Sequence, residues 1–227
     1  MVEAPSLVKI LALDCAGNSC SAAVCDDERV LAHRFAAMER GQAEALLPLI
    51  EHVLAESRLG LDALDLLAVT TGPGGFTGLR IGLATARGLA LARGLPLLGI
   101  SCFEAVAAAV PLALRELPLL VALESKRAEL YLQPFGTDAG PAALVAPADW
   151  AAFAPPSRFV LAGDGATRLA AALGRPDIVR APGSGLADAA DVARLAAIYW
   201  RKGERPPPQP LYLRAPDTTT PRVAAAP

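Results

Sequence analysis

Histidine is scarce in this chain, and the shortage narrows the chemistry open to it. Only His33 and His52 occur among 227 residues, too far apart for the i, i+4 pair that sets two zinc-binding imidazoles on one helix face. Cys15, Cys20, Cys25 and Cys102 form no C-x-x-C pair, and a chain this long and apolar needs no disulfide staples. They read as small core residues. No G-x-S-x-G elbow is present. Spacing alone does not exclude a Ser-His-Asp triad, whose members need not be near in sequence. Neither sign of charge is in excess: 21 basic and 23 acidic side chains leave a formal net charge of −2. That excludes the cationic footprint of a chain that grips nucleic acid unaided. Long hydrophobic runs are also missing. The longest uncharged stretch, Leu66–Leu79, is interrupted by Gly-Pro-Gly-Gly, whereas a membrane span needs roughly 18 or more apolar residues. Residues 1–9 lack the basic-then-apolar order of a signal peptide. The expectation is a soluble, cytoplasmic chain without a membrane segment.

What the chain does contain is apolar material, 53% of residues against 19% charged, enough for a large core. Short β-rich stretches over 8–14, 21–25 and 29–35 are joined by Gly-Asn and Asp-Asp-Glu turns and predict a meander. Over 42–57 apolar residues fall at 43, 46, 47, 49, 50, 53 and 54, an arc of about 160° where one-sided packing needs about 100°. A helix covered on more than one side is expected there, with Pro48 kinking it or marking its first turn. A buried strand over 66–70 leads through a glycine-rich loop into a helical stretch over 77–93 whose only charges are Arg80, Arg87 and Arg93. Small residues recur every fourth position along it, at Gly78, Gly82, Ala86, Ala90 and Gly94. Each interior glycine costs about 1 kcal/mol of helix propensity, so the stripe predicts a backbone packed unusually close.

Residues 95–100 read as a strand, and Ser101-x-x-Glu104 as a capping box opening a helix to about 114. After Pro118 come strands over 119–123, 129–135, 143–146 and 158–162 and helices over 148–153, 166–173 and 187–202. Pro206-Pro207-Pro208 is a rigid connector before an extended Leu211–Arg214. The expected fold is α/β with two lobes, one over 1–115 and one over 116–214, followed by a disordered tail over 215–227. No repeat of 20–50 residues is visible, although two halves can share a fold without sharing sequence.

Three places are candidates for chemistry. The loop Gly72, Pro73, Gly74, Gly75, Phe76, Thr77, Gly78, Leu79, Arg80 can present backbone N–H groups to an anion at a helix start. It is neither a Walker A loop nor a dinucleotide fingerprint, and its glycines equally suit a tight strand-to-helix connection. Asp14, at the end of the first strand, can hold a magnesium-bound phosphate or simply enter a turn. Gly163-Asp164-Gly165 repeats that geometry later in the chain; Asp164 there can cap the following helix.

The segment Gly72–Arg80 resembles the signature G-P-G-S-F-T-G-[LV]-R of the TsaB (YeaZ) family. Ile10–Asp14 with Cys20–Val24, Leu46-Leu47-Pro48, Glu129-Leu-Tyr131 and Leu211–Arg214 also match that family, in order, over about residues 8 to 214. Departures fall at Gly75, usually Ser; at Gln42, where many members carry His; and in Glu124–Ala128. The resemblance implies the two-lobed actin/hexokinase/Hsp70-like (ASKHA) fold. It also implies a non-catalytic subunit, an inactive relative of glycoprotease-like proteins, that pairs with the threonylcarbamoyltransferase TsaD and works with TsaE. That assembly modifies the adenosine beside the anticodon of tRNA, which this chain would meet only indirectly. ATP or ADP and metal are implied in the partner subunits, with none held by this chain, and Asp14, Gly163 and Gly165 become a vestigial nucleotide site. Family members join TsaD, or self-pair when alone, through the first lobe's helices. Gln42, Leu46, Leu49, Ile50, Val53, Gly78, Gly82, Ala86 and Ala90 are the expected partner interface. An ATP-using phosphotransferase of the same superfold is the alternative, and a protease the remoter one.

Overall fold

The chain builds its two sheets with the same wiring. The computed structural model describes residues 7–214. Its first lobe runs β1 (Lys9–Asp14), β2 (Ser19–Asp26), β3 (Arg29–Ala37), α1 (Gln42–Ser57), β4 (Leu66–Thr70), α2 (Phe76–Arg93), β5 (Leu97–Ile100) and α3 (Cys102–Ala108). The second runs β6 (Leu119–Glu124), β7 (Leu130–Phe135), β8 (Ala143–Val145), α4 (Trp150–Phe153), β9 (Phe159–Ala162), α5 (Ala166–Leu173) and β10 (Ile178–Arg180), and α6 (Ala189–Arg201) closes the chain. The strand orders are β3-β2-β1-β4-β5 and β8-β7-β6-β9-β10. In each sheet the first three strands form an antiparallel meander and the last two join in parallel. The two halves therefore share a fold that their sequences do not display.

β1, β2 and β4 are buried along nearly their whole length, as strands covered by helices on both faces must be. α1 lies on β2 and β3, and α2 on β4 and β1, while α6 covers β1, β2 and β4. In β6 the side chains alternate: Leu119, Val121 and Leu123 join the first lobe's core, and Leu120 and Ala122 join a smaller core with Trp150, Phe159 and Leu169. This is the period-two pattern of a strand with two different neighbours.

Three expectations change. The helix foreseen to residue 114 ends at Ala108, because Pro111 cannot continue it and restricts Val110. The strand Ile178–Arg180, only three residues long and not foreseen although Pro176-Asp177 and Pro182-Gly183 flank it, pairs with β9. Dividing the lobes at residue 116 assigns the last helix to the second lobe, yet α6 packs on the first sheet. Its amphipathic face has a better-matched apolar surface there than beside the short β10. The tail over 215–227 lies outside the described residues. Among the described residues no helix is long and apolar enough to cross a membrane.

Candidate functional site

The glycine-rich loop folds back on the turn after β1. Gly72 has φ +98° and is followed by a cis bond to Pro73. The Gly75 amide donates to the Ala16 carbonyl at 2.7 Å. A β-carbon at 74 would overlap that carbonyl, and one at 78 would overlap the Cys15 carbonyl. These glycines exist for close approach to the 15–16 backbone, so the tight-connection reading holds and one amide of the anion cradle is already used.

Asp14 is fully buried. It accepts hydrogen bonds from Thr70 Oγ1 at 2.7 Å, Ser19 Oγ at 2.9 Å and the Ala16 amide at 3.2 Å. Burial raises its carboxyl from 3.8 to about 6, against those hydrogen bonds. It holds β1, β2 and β4 together. Asp164 accepts from the Glu124 amide at 2.9 Å, tying the second lobe's strand-to-helix turn to β6; Gly165, not Asp164, is the N-cap of α5. Gly185 packs on Gly163, and Leu186 reaches Gly17. The space left among Gly17, Gly74, Glu124, Asp164 and Leu186 is about 50 Å³. A neighbouring cavity of about 280 Å³ carries Asp164, Asp188, Asp191 and Arg180 in its wall. The structure does not gather Asp14, Gly163 and Gly165 around an open cleft.

The expected interface residues are corrected most. Gln42, Leu46, Ile50 and Val53 are buried and Leu49 half-buried, all on the face of α1 that covers its own sheet. Gly82, Ala86 and Ala90 are buried in the same way under α2. A β-carbon at 82 would lie 3.6 Å from Cys15 Cβ and 3.7 Å from Val69 Cγ2. The close backbone foreseen from the small-residue stripe is thus the chain's own, at Cys15 and Ala16. The outward faces carry Ala43 and Leu47 among Glu44, Glu51 and His52 on α1, and Ala84, Gly88 and Leu91 beside Arg87 on α2, with Leu47 54% and Leu91 86% exposed.

Sequence reasoning missed a cleft of about 710 Å³. Its walls come from the glycine-rich loop, the turn before β7 and a C-terminal strap over 205–214. The strap is pinned by the Gly99 amide on the Pro206 carbonyl, the Leu211 amide on the Thr71 carbonyl at 2.7 Å, and Arg87 Nη2 on the Pro208 carbonyl at 2.6 Å. It brings Tyr212 to Phe76, with ring centroids 5.5 Å apart, and Arg80 lies 3.5 Å over the Phe76 ring. Arg214 reaches Glu129 at 3.0 Å. Lys126 sits at the tip of the turn with φ +60°. The sequence singles out the separate walls, at Gly72–Arg80, Glu124–Ala128 and Leu211–Arg214, but not their meeting, which is a long-range contact.

His33 and Asp188 form a second unforeseen link, Nε2 to Oδ1 at 2.8 Å. Ser21 Oγ nearby accepts from the Ala189 amide and is buried. His52 is exposed, its Nδ1 3.0 Å from the Pro48 carbonyl. The four cysteines are free and buried, with Cys15 and Cys20 sulfurs 3.4 Å apart. Among the described residues no three His, Cys, Asp or Glu side chains gather as a metal site.

Two like-wired lobes meeting over a filled cleft define a protein of the two-lobed actin/hexokinase/Hsp70-like class. A family model described as "TsaD: tRNA N6-adenosine threonylcarbamoyltransferase" matches residues 30–179. The chain belongs to that family, on its TsaB/YeaZ side. It is 34% identical to the tRNA threonylcarbamoyladenosine biosynthesis protein TsaB of Escherichia coli (strain K12), over 58% of this chain and 56% of that protein. It spans 51% of the Haemophilus influenzae TsaB, at 36% identity over 54% of its own length, and thus about half the length of the curated relatives it first matches. The uncharacterized protein Mb3455c of Mycobacterium bovis is 32% identical over 92% of both chains. The solved structure of YeaZ from Pseudomonas aeruginosa superposes with a TM-score of 0.78 at 29% identity, covering 91% of this chain and all of that one.

Proposed function

We propose that this chain is a non-catalytic partner of a TsaD-type threonylcarbamoyltransferase, supporting threonylcarbamoylation of the adenosine beside the tRNA anticodon. The observation that carries this reading is the outward surface of α1 and α2. Helices running side by side present Ala43, Leu47, Ala84, Gly88 and Leu91 to solvent, apolar and small residues that serve helix-to-helix docking. The same surface serves a homodimer when TsaD is absent. TsaE, ATP or ADP, and any metal belong to the partner subunits in this reading. The phosphotransferase alternative is less well supported, because Asp14 is buried among its own hydrogen-bond partners rather than facing a cavity. Light-scattering mass on a sizing column tests the proposal: a one-to-one complex with TsaD, formed at the expense of any homodimer, supports it. No association at micromolar concentration refutes it.

A further inference from the structure

We propose that the cleft between the glycine-rich loop, the turn before β7 and the C-terminal strap binds a short single-stranded segment of RNA. A base stacks on Tyr212, and the phosphates meet Lys126 and the outer side of Arg80. The inference rests on the reading of this chain as part of a tRNA-modifying assembly.

Three observations carry it. Every charged side chain lining the cleft is a cation, in a chain whose overall charge is −2. Glu129 offsets Arg214, and with Arg80 and Lys126 the local charge still runs against the whole, as a groove that tracks a phosphodiester backbone requires. Second, Phe76 and Tyr212 are 42% and 45% exposed, two of the few large apolar side chains left in water, and they adjoin each other at a 38° tilt. Arg80 lies over one face of the Phe76 ring, which leaves the exposed Tyr212 ring beside it as the platform on which an unstacked base lies. Third, the volume of about 710 Å³ is in the range that encloses a ligand larger than a phosphate ion.

The geometry favours a strand over a free nucleoside triphosphate. The cations come from three separate segments, at Arg80, Lys126 and Arg214, and the nearby carboxylate, Glu129, is already paired with Arg214. The Gly75 amide, which would cradle a terminal phosphate, is committed to Ala16. One charge per nucleotide, spaced along a chain, fits that layout better than three or four charges at one point.

Fluorescence anisotropy of a labelled anticodon stem-loop RNA, titrated with the full chain and with its TsaD complex, tests the inference. Saturable binding is expected at low salt. Tyr212→Ala should weaken it about tenfold, while Tyr212→Phe, which keeps the ring, should bind as the parent does. Lys126→Ala should lower the slope of log affinity against log salt by about one unit. All three lie outside α1 and α2 and should leave TsaD association unchanged. Absent binding, or binding indifferent to both alanine variants, overturns the inference. So does adenosine monophosphate displacing the RNA at lower concentration than a dinucleotide does, which would make the cleft a mononucleotide pocket. Loss of TsaD association by the parent chain would instead refute the subunit reading, so the two failures are distinguishable.

Discussion

Thr70 donates its hydroxyl to Asp14 at 2.7 Å across the parallel pair β1 and β4. This bond locates Asp14 in the core of the first lobe, where its carboxylate links two neighbouring strands.

Because burial raises Asp14 from 3.8 to about 6, the folded state binds its proton more tightly than the unfolded chain. Its contribution is fully present below pH 3.8 and is lost as pH rises through about 6, a change of about 3 kcal/mol. Asp14→Asn keeps an acceptor for Thr70 and cannot ionise. Denaturant melts at pH 4, 6 and 8 should therefore show the variant gaining on the parent as pH rises. Parallel pH profiles would contradict this account.

His33 acts in the same direction from the surface of the first sheet. Its hydrogen bond to Asp188 raises its value above 6.5, aided by Asp191 and opposed by burial and by Arg194. The stabilisation is complete at acid pH and fades as pH climbs through that raised value. His33→Gln should lower the melting temperature at pH 5.5 and leave it nearly unchanged at pH 8.5. An NMR titration of the imidazole checks the direction independently.

Substitutions at Gly74 and Gly82 separate two kinds of glycine. Gly74→Ala drives a methyl into the Ala16 carbonyl, and such backbone overlap costs about 1–3 kcal/mol. Gly82→Ala meets Cys15 and Val69 at ordinary contact distance and gains helix propensity, about 1 kcal/mol at most. Gly82→Leu overfills the core and should unfold the lobe. Chemical denaturation of the three variants reads the order directly.

Leu91→Asp on the outward face of α2 should leave the melting temperature within about 1 °C, since a surface change is worth about 0.5 kcal/mol or less. Association with TsaD should weaken at least tenfold. Analytical sizing with light scattering measures the second, and circular dichroism the first.

The element order was legible because alternation, turn residues and the Ser101–Glu104 capping box are local signals. The direction in which α1 and α2 face was not. Apolar coverage wider than one face says that a helix has several neighbours without saying which ones belong to its own lobe. The stripe through Gly78 and Gly82 rightly announced a close backbone, but Cys15 is more than sixty positions earlier in the chain and leaves no mark on the helix. The cleft was hidden for the same reason. Its walls, at Phe76, Lys126 and Tyr212, become neighbours only after the strap has returned across the molecule.

That α6, the last helix, lies on the first sheet has a consequence for biosynthesis. The opening lobe emerges from the ribosome first yet lacks one of its covers until residues 189–201 have been made. β1, β2 and β4 must wait with one apolar face bare, a state that invites aggregation or capture by a chaperone. The lobes therefore cannot mature in the order in which they are synthesised, and a fragment cut at residue 116 would be a product without a stable native state of its own.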